Sequence, residues 1–380
     1  MDNSMNSTKK RGLRRIFFLC PRRHVLLLFS TLGILLYYLI RNNNPLVNAF
    51  CNSFVYPYHR TASKISGIFP FSVMELIYTS IGVFVIAAIV RCCILIVKRN
   101  DRFTIVYRTI ISLACIGVSV FSAYSLLWST TYYADSFSKK SGISASLVSV
   151  EELSAVTSYF INLANEYAPQ VKRDDDGAFD ELENELFNMS VSLYDNAAAK
   201  FNILNGPSIK PKKMIYSLLM SNMNFTGVFF PITGEANLNT HSPKAFLPVT
   251  LAHEIAHQRG VAAEDEANFV AVFACLESNE PIFIYSASLL AYTYLGNALH
   301  NAAYDTWETL YYNISEPVRA DLRENNEYWD RFNTKTAKVS EAVYSGFLMS
   351  NGQELGMKSY GACVDLLVEY YFEIAQQTLA

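Results

Sequence analysis

Three apolar runs stand close together in the first third of the chain, at His24 to Ile40, Leu76 to Val97 and Ile105 to Trp128. About 20 consecutive apolar residues cross a bilayer core, so the second and third runs are long enough and the first is short. Basic residues precede the first run, as in a signal peptide. Arg41-Asn42-Asn43-Asn44 follows it in place of a small-residue cleavage site, so it is read as a retained anchor.

Beyond Trp128 the pattern turns from continuous to periodic. Ser149-Val150-Glu151-Glu152 is a capping box that opens a helix running to about Glu166. Asp174-Asp175-Asp176-Gly177 reads as a solvated loop, with too few correctly spaced ligands for a calcium site. Asn205-Gly206-Pro207 and Pro211 break the chain ahead of an amphipathic helix. Phe225 to Gly234 mixes β-branched and aromatic residues between turn formers, which predicts a short strand, and Pro231 predicts that it lies at an edge. After Pro248 the helical period resumes and continues, with breaks, to the C-terminus. The predicted fold is mainly α. Three transmembrane helices, at about 24–40, 76–97 and 105–128, lie within an anchor over 24–130. A mostly helical domain with a short β edge follows over 131–380.

Charge sets the expected orientation. Lys9, Lys10, Arg11, Arg14, Arg15, Arg22 and Arg23 precede the first run, in a basic N-terminus over 1–23. Lys98, Arg99, Arg102 and Arg108 cluster between the second and third. The positive-inside rule puts both clusters in the cytoplasm, and the stretch from Arg41 to Glu75 and everything after Trp128 outside. Arg91, inside the second run, is read as snorkelling toward Lys98 and Arg99. Hydrophobic residues make up 51% and charged residues 17%, against about 25% charged in soluble domains, which agrees with a part in lipid. A net charge of -3 gives no reason to expect nucleic acid as a partner. The seven cysteines are odd in number and scattered with no C-x-x-C pair, so neither a disulfide framework nor a thiolate zinc site is suggested.

The chemistry is concentrated at His253-Glu254-Ile255-Ala256-His257. Residues four apart in a helix differ by about 40° around its axis, so the two imidazoles face one ion. Glu254 is too close along the chain to be a third ligand, but it stands beside the ion as a general base for a metal-activated water. One Zn2+ per chain is the expected cofactor. The chain has only six His, and two of them fall at this spacing.

A tetrahedral catalytic site takes a third protein ligand and leaves one position open. Glu264 and Glu266 both stand just past Gly260, which is a natural helix stop. Asn268 lies four residues after Glu264, on the same helical face, where it can hydrogen-bond a ligating imidazole. Val270, at the equivalent place for Glu266, cannot. Glu264 is therefore the expected ligand and Glu266 the alternative. A helix start rich in carboxylates explains the charge of this segment but not its place beside the His pair.

The segment resembles the gluzincin side of the zincins, which carry a Glu-x-x-Ala-Asp stretch. Glu264-Asp265-Glu266-Ala267-Asn268 fits it with Asn for Asp, and the resemblance makes Glu264 the ligand. The spacing departs from the family, because gluzincins place this Glu much further beyond the second His. A second resemblance covers about Tyr56 to Tyr370 and is to a bacterial membrane-protein family catalogued as domain of unknown function 3810. It is carried by Pro70-Phe71-Ser72 with Glu75, by Pro231 to Asn237, by His253 to Gly260, by Glu264 to Phe269, and by Gly352-Gln353 through Gly356 to Ser359-Tyr360-Gly361. It implies a membrane architecture and metal chemistry, and it names no substrate.

Other polar positions carry weaker signals. Glu235, Asn237 and Asn239 follow the predicted strand and line the cleft or serve its turns. Tyr360 is a candidate oxyanion stabiliser, one among 24 Tyr. His300 reads as an ordinary helix-face residue and Cys275 and Cys363 as core. The expectation is a multi-pass membrane zinc metallopeptidase that hydrolyses protein or peptide substrates outside the cell. The competing readings are a non-catalytic zinc-binding receptor or scaffold, and a zinc hydrolase of a non-peptide envelope component.

Overall fold

The computed structural model describes residues 16–143, 148–181, 183–353 and 360–379. Helices α1 (Pro21–Ile40), α4 (Val73–Lys98) and α5 (Arg102–Leu127) are the three apolar runs, each a few residues longer than the hydrophobic pattern predicts. Between α1 and α4, where the sequence pattern left only a connection, the chain is helical. Helix α2 (Asn44–Phe50) passes through a π-helical turn at Cys51–Val55 into α3 (Tyr56–Ser66).

α1 and α5 run in the same direction and pack through small polar residues. Ser30 Oγ and Ser119 Oγ are 2.8 Å apart, and Gly33 lies against Ser122, so the two backbones approach closely. Their basic ends coincide. Arg23 donates to the Arg108 carbonyl at 2.9 Å, and Arg108 to the Leu19 carbonyl at 3.0 Å. Arg91 joins Arg23, Arg99 and Arg108 around a cleft at that same end.

Among the described residues four helices are long and apolar enough to cross a membrane, the fourth being α13 (Pro281–Ala302). The apolar windows of α1, α4 and α5 are 11%, 0% and 22% covered by the rest of the protein, whereas that of α13 is 72% covered. α13 is thus the centre of a folded domain. It packs against α7 (Val150–Tyr167), α11 (Leu247–Gln258), α12 (Glu264–Glu277) and α17 (Tyr360–Leu379). Phe160, Phe269, Phe273, Phe283 and Tyr285 are buried there, and burying a side chain of this size stabilises by about 1.5–3 kcal/mol. The capping box of α7 is complete. Ser149 Oγ accepts from the Glu152 amide at 3.2 Å, and the Glu152 carboxylate accepts from the Ser149 amide at 2.8 Å.

Short helices fill the approach to this core: α6 (Phe137–Ser141), α8 (Glu183–Met189), α9 (Asp195–Lys200) and α10 (Ser217–Asn222). Helices α14 (Tyr304–Tyr311), α15 (Glu316–Arg331) and α16 (Lys335–Ser350) follow α13. A buried pin fastens the acidic segment. Arg173 grips Asp321 of α15 with both terminal nitrogens, at 3.1 and 2.9 Å, and Tyr285 also donates to Asp321. The Asp174 carboxylate accepts from the amides of Asp176 and Ala178, closing a turn as expected of a loop.

Among the described residues the sheet has three strands in the order β1-β3-β2, with β1 at Lys212–Lys213, β2 at Gly227–Phe230 and β3 at Glu235–Leu238. β2 runs antiparallel to β3 and lies at an edge, ending at Pro231. β2 and the adjacent β3 both rest on α11.

Candidate metal centre

α11 is held by its apolar side chains. Leu247, Val249, Leu251, Ala252, Ile255 and Ala256 are all buried, and Pro248 occupies the first turn, where its missing amide costs nothing. The two imidazoles at the next turn face the same way, their ring centroids 4.7 Å apart and their planes nearly perpendicular. The helix ends at Gln258, and Gly260 takes φ +98°, a conformation that L side chains rarely adopt. The reversal that follows brings Glu264, the first residue of α12, back over the His pair.

The Glu264 carboxylate sits 3.3 Å from His253 Nε2 and 3.6 Å from His257 Nε2. Among the described residues these three side chains form a cluster whose ligand atoms all lie within 4.8 Å of one another. Ligands bonded tetrahedrally at about 2.1 Å stand about 3.4 Å apart, so this donor set fits a zinc ion. The orientation of one ring is fixed from behind: His257 Nδ1–H donates to the Val261 carbonyl at 2.7 Å, which turns Nε2 toward the cluster. Tyr344 of α16 donates its hydroxyl to Glu264 Oε1 at 2.5 Å.

The charges reinforce one another. Burial disfavours a charged His257, but the Glu264 carboxylate outweighs it and lifts the ring to about 9. Burial alone would raise Glu264; the two imidazoles hold it well below the usual carboxylate range. Glu254 is 3% exposed, and that burial pushes it up to about 7 against the pull of the imidazoles. Its Oε2 has no hydrogen-bond partner among the described residues. Gly227 of β2 passes so close that a Cβ there would overlap the Glu254 carboxylate, so only glycine lets the strand lie against it.

The wall of the site is aromatic. Trp128, just past α5, meets His257 edge-on at 5.5 Å, and Phe229 of β2 packs against Trp128 at 5.1 Å. His59 of α3 lies behind them, 5.2 Å from Phe229, where burial lowers it to about 4 and keeps it neutral. Phe347 of α16 contacts both Tyr124 and Tyr132. These residues come from four separate parts of the chain.

Glu266 is turned away from the cluster. Its carboxylate caps α6, accepting from the amides of Phe137 at 2.7 Å and Ser138 at 2.8 Å and from the Ser138 hydroxyl. Asn268 makes no hydrogen bond to either imidazole among the described residues; the Val261 carbonyl, delivered by the turn itself, takes that place at His257. Tyr360 opens α17, and its side chain lies outside the described residues. Glu235, Asn237 and Asn239 serve structure. Glu235 accepts from the amides of Val73 and Met74 at the start of α4, Asn237 donates to the Glu235 carbonyl, and Asn239 donates to Ser221 and the Phe225 carbonyl. His300 packs between Tyr304 and Trp307, and Cys275 and Cys363 are buried free thiols. No motif or spacing marks Tyr344, Trp128 or His59 as residues of the site.

Residues 51–368 match a family described as Protein of unknown function (DUF3810). No curated protein and no solved structure matches the chain.

Proposed function

The chain belongs to this family of proteins of unknown function, and from the geometry of its site we propose that it is a membrane-anchored zinc metallopeptidase. The observation that carries the reading is Glu254: a buried carboxylate beside a His-His-Glu donor set, with one oxygen left without a partner. A structural zinc site usually closes with four protein ligands and has no use for such a base. That disfavours the reading as a non-catalytic receptor.

His253, His257 and Glu264 would hold the ion and leave a fourth position open. When bound, zinc supplies a Lewis acid that polarises a carbonyl and lowers the pKa of water to about 7. Glu254, itself near 7, is matched to take a proton from water at neutral pH and to return it to the leaving amine. The Val261 carbonyl and the Tyr344 hydroxyl hold His257 and Glu264 in their orientations. β2 offers an unpaired edge beside Glu254, where an extended substrate backbone can add as a strand. The site stands at the end of α5 opposite the arginines. With the arginines in the cytoplasm by the positive-inside rule, the site faces outward.

The test uses the full chain purified in detergent, with zinc content measured by elemental analysis and turnover measured on a fluorogenic peptide library. Glu254→Gln is expected to keep about one zinc per chain and to lose hydrolysis by 100-fold or more, within the range of about 10²–10⁴ typical of a general base. Full turnover by that variant removes the mechanism.

A further inference from the structure

Two independent features set the depth of the site. The first is helix length. From Arg102 to Tyr124, α5 rises about 33 Å at 1.5 Å per residue, and a bilayer's hydrocarbon core is about 30 Å thick. With the arginines at one headgroup layer, Tyr124 reaches the other. Tyr124 packs on Phe347 at 5.5 Å, three residues from Tyr344, and Trp128, one turn further, meets His257. On α4, Tyr78 meets Phe230 of β2 at 4.9 Å. Tyr and Trp gather at headgroup level, and these are the residues that touch the site.

The second feature is an apolar surface at that same level. α16 turns Tyr344 and Phe347 inward and bares Val339, Ala342, Val343 and Met349 on its opposite face, with Val339 63% and Val343 68% exposed. Beside it, Ile215 is 79% exposed and Leu218 and Leu219 of α10 are more than half exposed. Tyr216, in this same segment, hydrogen-bonds Thr79 of α4 at 2.9 Å, which ties the segment to an apolar helix two turns from its start. Asn224, just past α10, donates to Glu341 of α16 at 2.6 Å, so the two surfaces are joined. Amphipathic helices in an interface bury such faces about 5–10 Å into the headgroup boundary.

We propose that the apolar faces of α10 and α16 rest in the lipid headgroup layer, and that the site accepts polypeptides themselves anchored in the bilayer. It would cut them within a few residues of where they leave the membrane. This rests on the peptidase reading above. A chain tethered in the same bilayer arrives at the site's own depth and at high effective concentration. A soluble polypeptide must bring its scissile bond down to the lipid.

The experiment has two arms on the full chain in nanodiscs. In the first, nitroxide labels at Val343→Cys, Leu219→Cys and Asp175→Cys are read for collision with oxygen and with a water-soluble nickel chelate, after Cys92 and Cys93 are replaced by Ala. The labels at 343 and 219 are expected to be lipid-accessible and that at 175 water-accessible; water-like values at all three overturn the docking. In the second arm, one quenched peptide sequence is presented free, and also on a transmembrane anchor with spacers of 3 to 20 residues. The anchored form with a short spacer is expected to be cut more than 10-fold faster than the free form, declining as the spacer lengthens, and Val343→Glu is expected to slow only the anchored substrate. Equal rates for free and anchored peptide overturn the substrate class. Cleavage of neither peptide by the zinc-loaded protein overturns the peptidase reading itself, while the labels still decide the docking.

Discussion

The hydroxyl of Tyr344 lies 2.5 Å from Glu264 Oε1, across 80 residues of sequence. A half-buried carboxylate between two imidazoles is held partly by that bond. Tyr344→Phe removes the donor and keeps the ring against Phe225 and Phe347. The expected result is a folded protein whose zinc affinity falls about 10–100-fold, as for other partners of metal ligands. Competition against a chelator measures it, with the melting temperature as the control. Unchanged affinity would show that Glu264 needs no help from α16.

Glu264 and Glu266 separate cleanly by experiment. Glu264→Ala removes a donor of the cluster and is expected to abolish zinc retention on dialysis. Glu266→Ala is expected to keep zinc and lose stability. It strands the amides of Phe137 and Ser138, and a buried unsatisfied group costs about 1–3 kcal/mol. Zinc loss from Glu266→Ala at an unchanged melting temperature would reverse the assignment.

Much of this was legible in the chain. The His pair, the stop at Gly260 and the return at Glu264 are local, so spacing alone places them. The capping box and the edge strand ending at Pro231 are local too. What joins distant segments was not legible. Nothing near Tyr344 or Trp128 marks either against the other aromatic residues, and their roles come only from α16 and α5 meeting at the site. Asn268 sits at a sensible helical offset, but a backbone carbonyl on the turn reaches His257 first, and backbone carbonyls leave no mark in sequence. The acidic residues of 235 and 266 are indistinguishable from site residues until their amide partners are in view.

The metal-free site makes a pH prediction. His257 rises in the fold from 6.5 to about 9, so its stabilisation is full below about 6.5 and is lost as pH rises through 9. Glu254 rises from 4.5 to about 7 and adds a loss of the same sign as pH passes 7. Glu264 is lowered, so its contribution is present above about 4.5 and falls only in acid. Between pH 6.5 and 9 the metal-free protein is therefore expected to lose on the order of 3 kcal/mol through His257. Zinc binds the neutral ring, so uptake at pH 7 is expected to release a proton, and zinc affinity is expected to climb toward pH 9. Unfolding with and without chelator across this range is the measurement. A metal-free protein whose stability is flat or rising from pH 6.5 to 9 would contradict the assignment of charge.

A last prediction concerns the joint between α4 and the domain, where two buried carboxylates, one on each side, accept from backbone amides across it. Glu235 of β3 accepts from the amides of Val73 and Met74, the free donors at the start of α4. Glu75 of α4 accepts from the amides of Ile215 and Tyr216, which lead into α10. Backbone donors hold both carboxylates, and the Lys212 ammonium lies near enough to Glu235 to interact with it. Losing either leaves two amides of the joint unpaired, and each that stays out of water costs about 1–3 kcal/mol. The consequence reaches the site, because β3 carries β2, and β2 lies on Glu254. Glu235→Ala is therefore expected to loosen the hairpin over Gly227–Leu238 and to impair turnover more than zinc binding, since His253, His257 and Glu264 stand on α11 and α12. Glu75→Ala is expected to loosen α10 first. Hydrogen exchange of the two variants distinguishes these patterns. Faster exchange confined to α4 in both, with the hairpin protected, would show that the sheet is held by α11 alone.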